Sequence, residues 1–121
     1  ATIGPTLQLG PHRAPAGMAF HTGAMFPEDW RGDLLVALYG SSTASLPTAH
    51  EVVRVPFEGG APTGEIVNLA SGWLRRDTRR WGRPVDVAVA GDGAVLVADE
   101  AAGRIYRLTY VPIRPTATPP Y

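Results

Sequence analysis

Residues 81–110 read WGRPVDVAVAGDGAVLVADEAAGRIYRLTY, and this stretch decides the fold. Val85, Val87 and Val89 alternate with Asp86, Ala88 and Ala90, the period of two that a strand imposes on its side chains. Gly91-Asp92-Gly93 reads as a turn, because glycine takes positive φ without steric cost and Asp tolerates it. Val95-Leu96-Val97 is an apolar run too short for a helix and reads as a buried strand. Asp99 to Gly103 turns the chain again, and Arg104–Tyr110 alternates polar and apolar as a third strand. Three antiparallel strands joined by tight turns make a β-meander, the inner part of a propeller blade.

Working outward, the same order occurs earlier in longer form. Pro15–Phe20 corresponds to Pro84–Val89, Asp33–Leu38 to Gly93–Ala98, and Glu51–Phe57 to Arg104–Tyr110. Self-similarity in a fixed order marks a repeat architecture. Thr6–Leu9 reads as an outer strand with Leu7 and Leu9 on one face. Gly10–Pro15 reads as an extended loop, since a residue before proline is pushed out of the helical region. Pro27–Trp30 suits a short helical turn. Strands are expected over Leu34–Tyr39, His50–Phe57 and Glu65–Leu69, with a polar loop at Gly40–Thr48 and a turn at Glu58–Gly64. Arg75–Arg80 is a charged loop, and Pro112–Tyr121 is a Pro/Thr-rich linker or tail. The expected divisions are an extension or outer strand at 1–9, a first blade at 10–72, a second at 73–111 and the tail at 112–121. The fold class is all-β.

The chain of 121 residues suits one modest core. Fourteen glycines and twelve prolines fit a turn-rich β protein. Eleven acids balance eleven basic residues, all of them arginine, which gives no reason to expect nucleic acid or an anionic membrane as partner. There are no cysteines, so no disulfide or thiolate metal site. No run approaches the ~18 apolar residues of a membrane-spanning helix. Ala1–Pro5 lacks the basic and apolar regions of a signal peptide, as a processed secreted chain would too. Two blades expose apolar faces carrying residues such as Val36, Leu38, Val87 and Val97, whereas closed rings hold about 4–8 blades. The expected partners are therefore other blades, from a longer parent chain, another subunit or copies of this chain, with three copies favoured.

Several phrases together resemble the C-terminal part of the soluble quinoprotein glucose/sorbosone dehydrogenase family. They are Gly10–Phe20 (GPHRAPAGMAF), Phe26-Pro27 with Arg31-Gly32-Asp33, Val53–Phe57, Pro62–Glu65, Trp81–Val89 and Gly103–Leu108. The resemblance implies a six-bladed propeller that binds pyrroloquinoline quinone (PQQ) and calcium and oxidises sugars, in a periplasmic or extracellular setting. It also implies that the catalytic base and the calcium ligands belong to earlier blades, so that no catalytic residue and no metal site fall here. The chain departs from the family at Gly40–Ala44, where members continue with Trp and a basic residue.

In a propeller, the loop entering the innermost strand and the loop joining the second and third strands share one face. The entering loops hold His12, Arg13 and Arg83; the others hold Tyr39, Ser41, Asp99 and Glu100. A tricarboxylate quinone needs arginine forks to neutralise it. By resemblance Arg83, His12 and Arg13 are the cofactor-binding candidates, with Tyr39, Ser41 and Asp99 on the pocket rim. Arg83 equally suits a blade-edge ion pair, and His12 a loop histidine bonded to backbone. His21 reads as structural and His50 as solvated. Three scattered histidines give no metal spacing, and Asp92 alone offers too few oxygens for calcium. The two functional expectations are a wall of a PQQ-dependent dehydrogenase pocket, and a non-catalytic module that self-assembles or docks to a partner.

Overall fold

Pro15 and Pro84 each open a strand, and each strand slips its register at the same point, between Pro15 and Gly17 and between Pro84 and Asp86. The computed structural model in which this is seen describes residues 3–41, 50–73 and 82–112. Within them the chain is all-β apart from a single 3-10 turn at Glu28–Trp30. The strands are β1 (Pro15–Phe20), β2 (Leu34–Leu38), β3 (Glu51–Val55), β4 (Phe57–Glu58), β5 (Ala61–Pro62), β6 (Val67–Ala70), β7 (Pro84–Val89), β8 (Val95–Asp99) and β9 (Arg104–Leu108). They form a four-stranded sheet in the order β1-β2-β3-β6, a small β4-β5 hairpin and a three-stranded sheet β7-β8-β9, all antiparallel.

The Gly91–Gly93 turn forms as its chemistry dictates. Asp92 accepts the Ala94 N–H at 3.0 Å, and Gly93 donates to the Ala90 carbonyl at 2.9 Å. The Ala94 amide, with help from the paired Arg107, holds the Asp92 carboxyl below the usual range. The register corrects the repeat by one residue. Phe20 faces Leu34 and Val89 faces Val95, so Leu34 matches Val95, not Ala94. Ala94 is drawn into the turn, where its carbonyl accepts the Ala90 N–H at 2.8 Å. The correction matters because a one-residue slip moves every side chain to the opposite face.

Two apolar layers result. Leu35, Ala37 and Val52 of the first sheet bury against Val87, Val95 and Val97 of the second, with Phe26 and Trp73 closing the layer. Val36, Leu38, Val53 and Val55 form a second cluster on the other side of the first sheet. Val36, Leu38, Val87 and Val97, expected on exposed blade faces, are thus all buried. The innermost strands β1 and β7 approach closely because residue 17 is glycine: a Cβ there would stand 2.6 Å from the Asp86 Cα.

Three local expectations change. Thr6–Leu9 forms no strand; Leu7 and Leu9 land on the apolar face of the second cluster instead of at a sheet edge. The third strand breaks at Pro56, which has no N–H for a ladder, and the expected turn beyond it contains the β4-β5 hairpin. Gly10–Pro15 is not extended, since Gly10, His12 and Ala14 take φ of 92°, 60° and 48°. Most of Gly40–Thr48, the Arg75–Arg80 loop and all but the first residue of the 112–121 tail lie outside the described residues.

Candidate functional site

The loops that enter β1 and β7 and those that leave β2 and β8 meet at one end of the strands. Tyr39 and Gly40 donate backbone N–H groups to the carbonyls of Ala14 and Arg13 at 2.9 and 3.0 Å, and Glu100 donates likewise to Arg83 at 3.0 Å. The positive φ of His12 and Ala14, uncommon for residues with a Cβ, is the conformation in which these bonds form.

Arg83 joins the two halves of this end. Its backbone N–H donates to Asp99 Oδ1 at 2.8 Å. Its side chain crosses to the first sheet, where Nε donates to the Tyr39 carbonyl at 3.3 Å and Nη2 to the Gly40 carbonyl at 3.0 Å. The guanidinium carbon stands 3.4 Å from the centre of the Tyr39 ring, stacking a cation on an aromatic face. Arg83 is 8% exposed. A guanidinium carries five N–H donors, so these two bonds leave donors on Nη1 and Nη2 unengaged among the described residues.

Tyr39 extends the network by donating its hydroxyl to Glu100 at 3.3 Å. Asp99, expected on the rim, lies beneath it. Its oxygens accept the N–H groups of Arg83 and Ala102 and, at 3.4 Å, the Tyr106 hydroxyl. Arg13 turns to Glu51 at 3.3 Å, whose other oxygen accepts from Asn68 at 2.7 Å. His12 is exposed and Ser41 partly so. The structure therefore brings Arg83, Tyr39 and Asp99 into one network and sets Arg13 in a neighbouring one.

Sequence reasoning missed Glu51 and the Gly40 carbonyl. Glu51 opens a strand like any exposed residue, and only the pairing of β2 with β3 brings it to this end. Gly40 carries a faint signal, as a glycine that needs its φ of 76° to turn the carbonyl. His50, read as solvated, is buried at 1% exposure.

The opposite end holds a different arrangement. His21 is fully buried, edge-on to Phe26 at 5.3 Å between ring centres, and neither ring nitrogen has a hydrogen-bond partner among the described residues. Burial pushes its pKa below the ordinary value, against the pull of nearby Asp33. Asp33 pairs with Arg54 at 2.6 Å and accepts the Phe57 N–H at 3.0 Å, while Arg54 lies over Trp30. Among the described residues no group of three His, Cys, Asp or Glu could hold a metal ion, and no helix is long and apolar enough to cross a membrane.

Residues 1–111 match the family described as TrAA12-like. An uncharacterized protein of Borreliella burgdorferi is 31% identical over 104 residues, 85% of this chain and 27% of that relative. The PQQ domain of pyranose dehydrogenase from Coprinopsis cinerea, solved in its holo form, has a similar fold. It aligns at a TM-score of 0.62 with 26% identity, over 88% of this chain and 29% of that one. The chain thus spans well under half the length of either relative.

Proposed function

We propose, for a chain that belongs to the TrAA12-like family, that its loop end forms one wall of a PQQ pocket in a sugar dehydrogenase of the soluble quinoprotein kind. The observation that carries this reading is the Arg83 guanidinium, held by two carbonyls and the Tyr39 ring, with donors still unengaged among the described residues. A planar cation fixed in this way suits a carboxylate, since its fork is already oriented and little side-chain freedom remains to be lost. Arg13 and His12, on the adjacent loop, are the second cation and polar group toward the same anion. The likeness to a PQQ domain supports the identity of the cofactor.

When bound, PQQ supplies the hydride-accepting chemistry. This chain's part is to bind and orient: Arg83 and Arg13 neutralise carboxylates, and Tyr39 and Ser41 shape the rim. No proton transfer is assigned to Asp99 or Glu100, because Asp99 is buried and already accepts from three donors and Glu100 holds the Tyr39 hydroxyl. The base and the calcium site then belong to other blades. A periplasmic or extracellular setting goes with this reading.

A second reading also has an observation in its favour. The two carbonyl bonds of Arg83 span both sheets, as they would in a non-catalytic module where the arginine only staples blades together. Titration of the chain with PQQ, followed by calorimetry, separates the two. The pocket reading expects binding by the wild type and a loss of about tenfold or more in Arg83→Lys, which keeps the charge and loses the fork. A melting curve for the variant controls for folding. It also expects no glucose-dependent dye reduction above a no-protein control, since one wall is not a complete site. No PQQ binding, or equal binding by a folded Arg83→Lys, overturns the reading.

A further inference from the structure

Residues 22–32 form a loop that His21 and Asp33 close at its base. The Asp33 carbonyl accepts the His21 N–H at 2.8 Å, and the His21 carbonyl accepts the Gly32 N–H at 2.7 Å. Beyond that base the loop reaches across to the second sheet. Gly23 and Gly93 meet backbone to backbone: a Cβ on Gly23 would collide with the Gly93 Cα, and a Cβ on Gly93 would stand 2.9 Å from the Met25 nitrogen. Phe26 enters the core shared by both sheets, where its ring meets those of His21, Trp30 and Tyr110. The His21 ring lies buried behind this loop, and neither of its nitrogens has a hydrogen-bond partner among the described residues. A neutral imidazole leaves one donor and one acceptor unmet there, whereas an imidazolium leaves two donors and a charge.

We propose that this loop is an acid-released clasp: a proton on His21 opens residues 22–32 and frees the Gly91–Gly93 turn against which they pack. The charged groups around the ring give that proton no settled place in the closed form. Asp33 attracts it, but both oxygens of that carboxylate already serve, one accepting from Arg54 and the other from the Phe57 N–H. Arg31 on the loop and Arg54 on β3 repel it. Glu28 and Asp29, on the 3-10 turn, are exposed. On the side of the second sheet, Asp92 is paired with Arg107, and Tyr110 reaches Phe26 with its ring. Water is then the partner for the added donor, and it reaches the ring when the loop lifts. The loop is the part that moves, because two backbone bonds close its base, whereas β1 and β2 are paired along their length. Phe26 is the anchor that keeps it shut when His21 is neutral. The open form takes up the proton near the ordinary value of about 6.5 and the closed form only at lower pH, so opening is favoured as the pH falls. The proposal rests on contacts within residues 21–110 and is independent of quinone binding.

Amide hydrogen exchange of the full chain, recorded from about pH 7.5 to 5 and corrected for intrinsic rates, tests it. The His21 and Gly32 amides are the reporters, because each donates across the base of the loop. They are expected to lose protection by up to about tenfold for each pH unit below about 6.5. Urea below the unfolding transition should not speed their exchange, since a local opening exposes little surface, whereas it should speed exchange of the ladder amides shared by β2 and β3. In His21→Phe the pH dependence at the Gly32 amide should vanish. Wild-type protection at His21 and Gly32 that ignores pH, or that follows the β2–β3 amides in both rate and urea dependence, overturns the proposal without recourse to a variant. A folded His21→Phe whose Gly32 amide keeps the wild-type pH dependence overturns it as well.

Discussion

Asp99 gathers the Arg83 and Ala102 amides and the Tyr106 hydroxyl around one buried carboxylate, which fixes the loop next to the arginine on which the proposed function rests. A buried acceptor with three donors keeps its geometry, because losing any of them would strand a polar group away from water. His21 is the opposite case, buried without hydrogen-bond partners among the described residues. Its pKa is lowered mainly by burial, with Arg31 and Arg54 adding to the effect and Asp33 opposing it. The folded chain therefore resists protonation at this ring while the unfolded chain takes up a proton near pH ~6.5. Stability should be full above that pH and fall as the pH drops below it, by at most about 1.4 kcal/mol per pH unit for one proton. Melting curves from pH 7.5 down to 5 should be steeper in pH for the wild type than for His21→Phe, and equal slopes would refute this. The burial of His21 fits its expected structural role, whereas His50 was misread. Periodicity assigns residues within a strand but cannot show which loop covers a strand's end.

At the scale of elements, the strands were legible because their period of two and their glycine turns agree. Val85 to Val89 and Arg104 to Leu108 fall in strands as expected. What was hidden depends on partners distant in sequence. The one-residue error in matching Leu34 arose because a turn can absorb a residue without leaving a mark in composition, and Thr6–Leu9 alternates like a strand yet docks on a face. The close approach of β1 to β7 was equally invisible, since Gly17 resembles any turn-forming glycine. Gly17→Ala should force β1 from β7, because its new Cβ meets the Asp86 Cα as well as the movable carboxylate. The expected cost is about 1–3 kcal/mol, seen as a drop of several degrees in melting temperature; an unchanged Tm would contradict the packing described. Gly59→Ala is a useful contrast, since no atom of the described residues lies within 4 Å of its Cβ and the effect expected there comes from its φ of 58°.

For the whole molecule, the blade-like sheets and their order followed from the sequence, and the likeness to a PQQ domain agrees with them. The site was legible only in part. Arg83, Tyr39 and Asp99 were brought to one end by topology, because loops at one end of a meander converge whatever their sequence, and the family resemblance singled out Arg83 among them. The donors that remain on Arg83 among the described residues after it binds two carbonyls could not be read that way, as they depend on the turn of Gly40. The account's central claim is that this loop end, and not the His21 end, receives an anionic quinone. A backbone amide NMR spectrum recorded during titration with PQQ tests it most directly. The account predicts saturable shifts clustered at Arg13, Tyr39, Gly40, Arg83 and Glu100, with His21, Phe26 and Asp33 unmoved. Shifts confined to the His21 end, or none at saturating quinone, would contradict it.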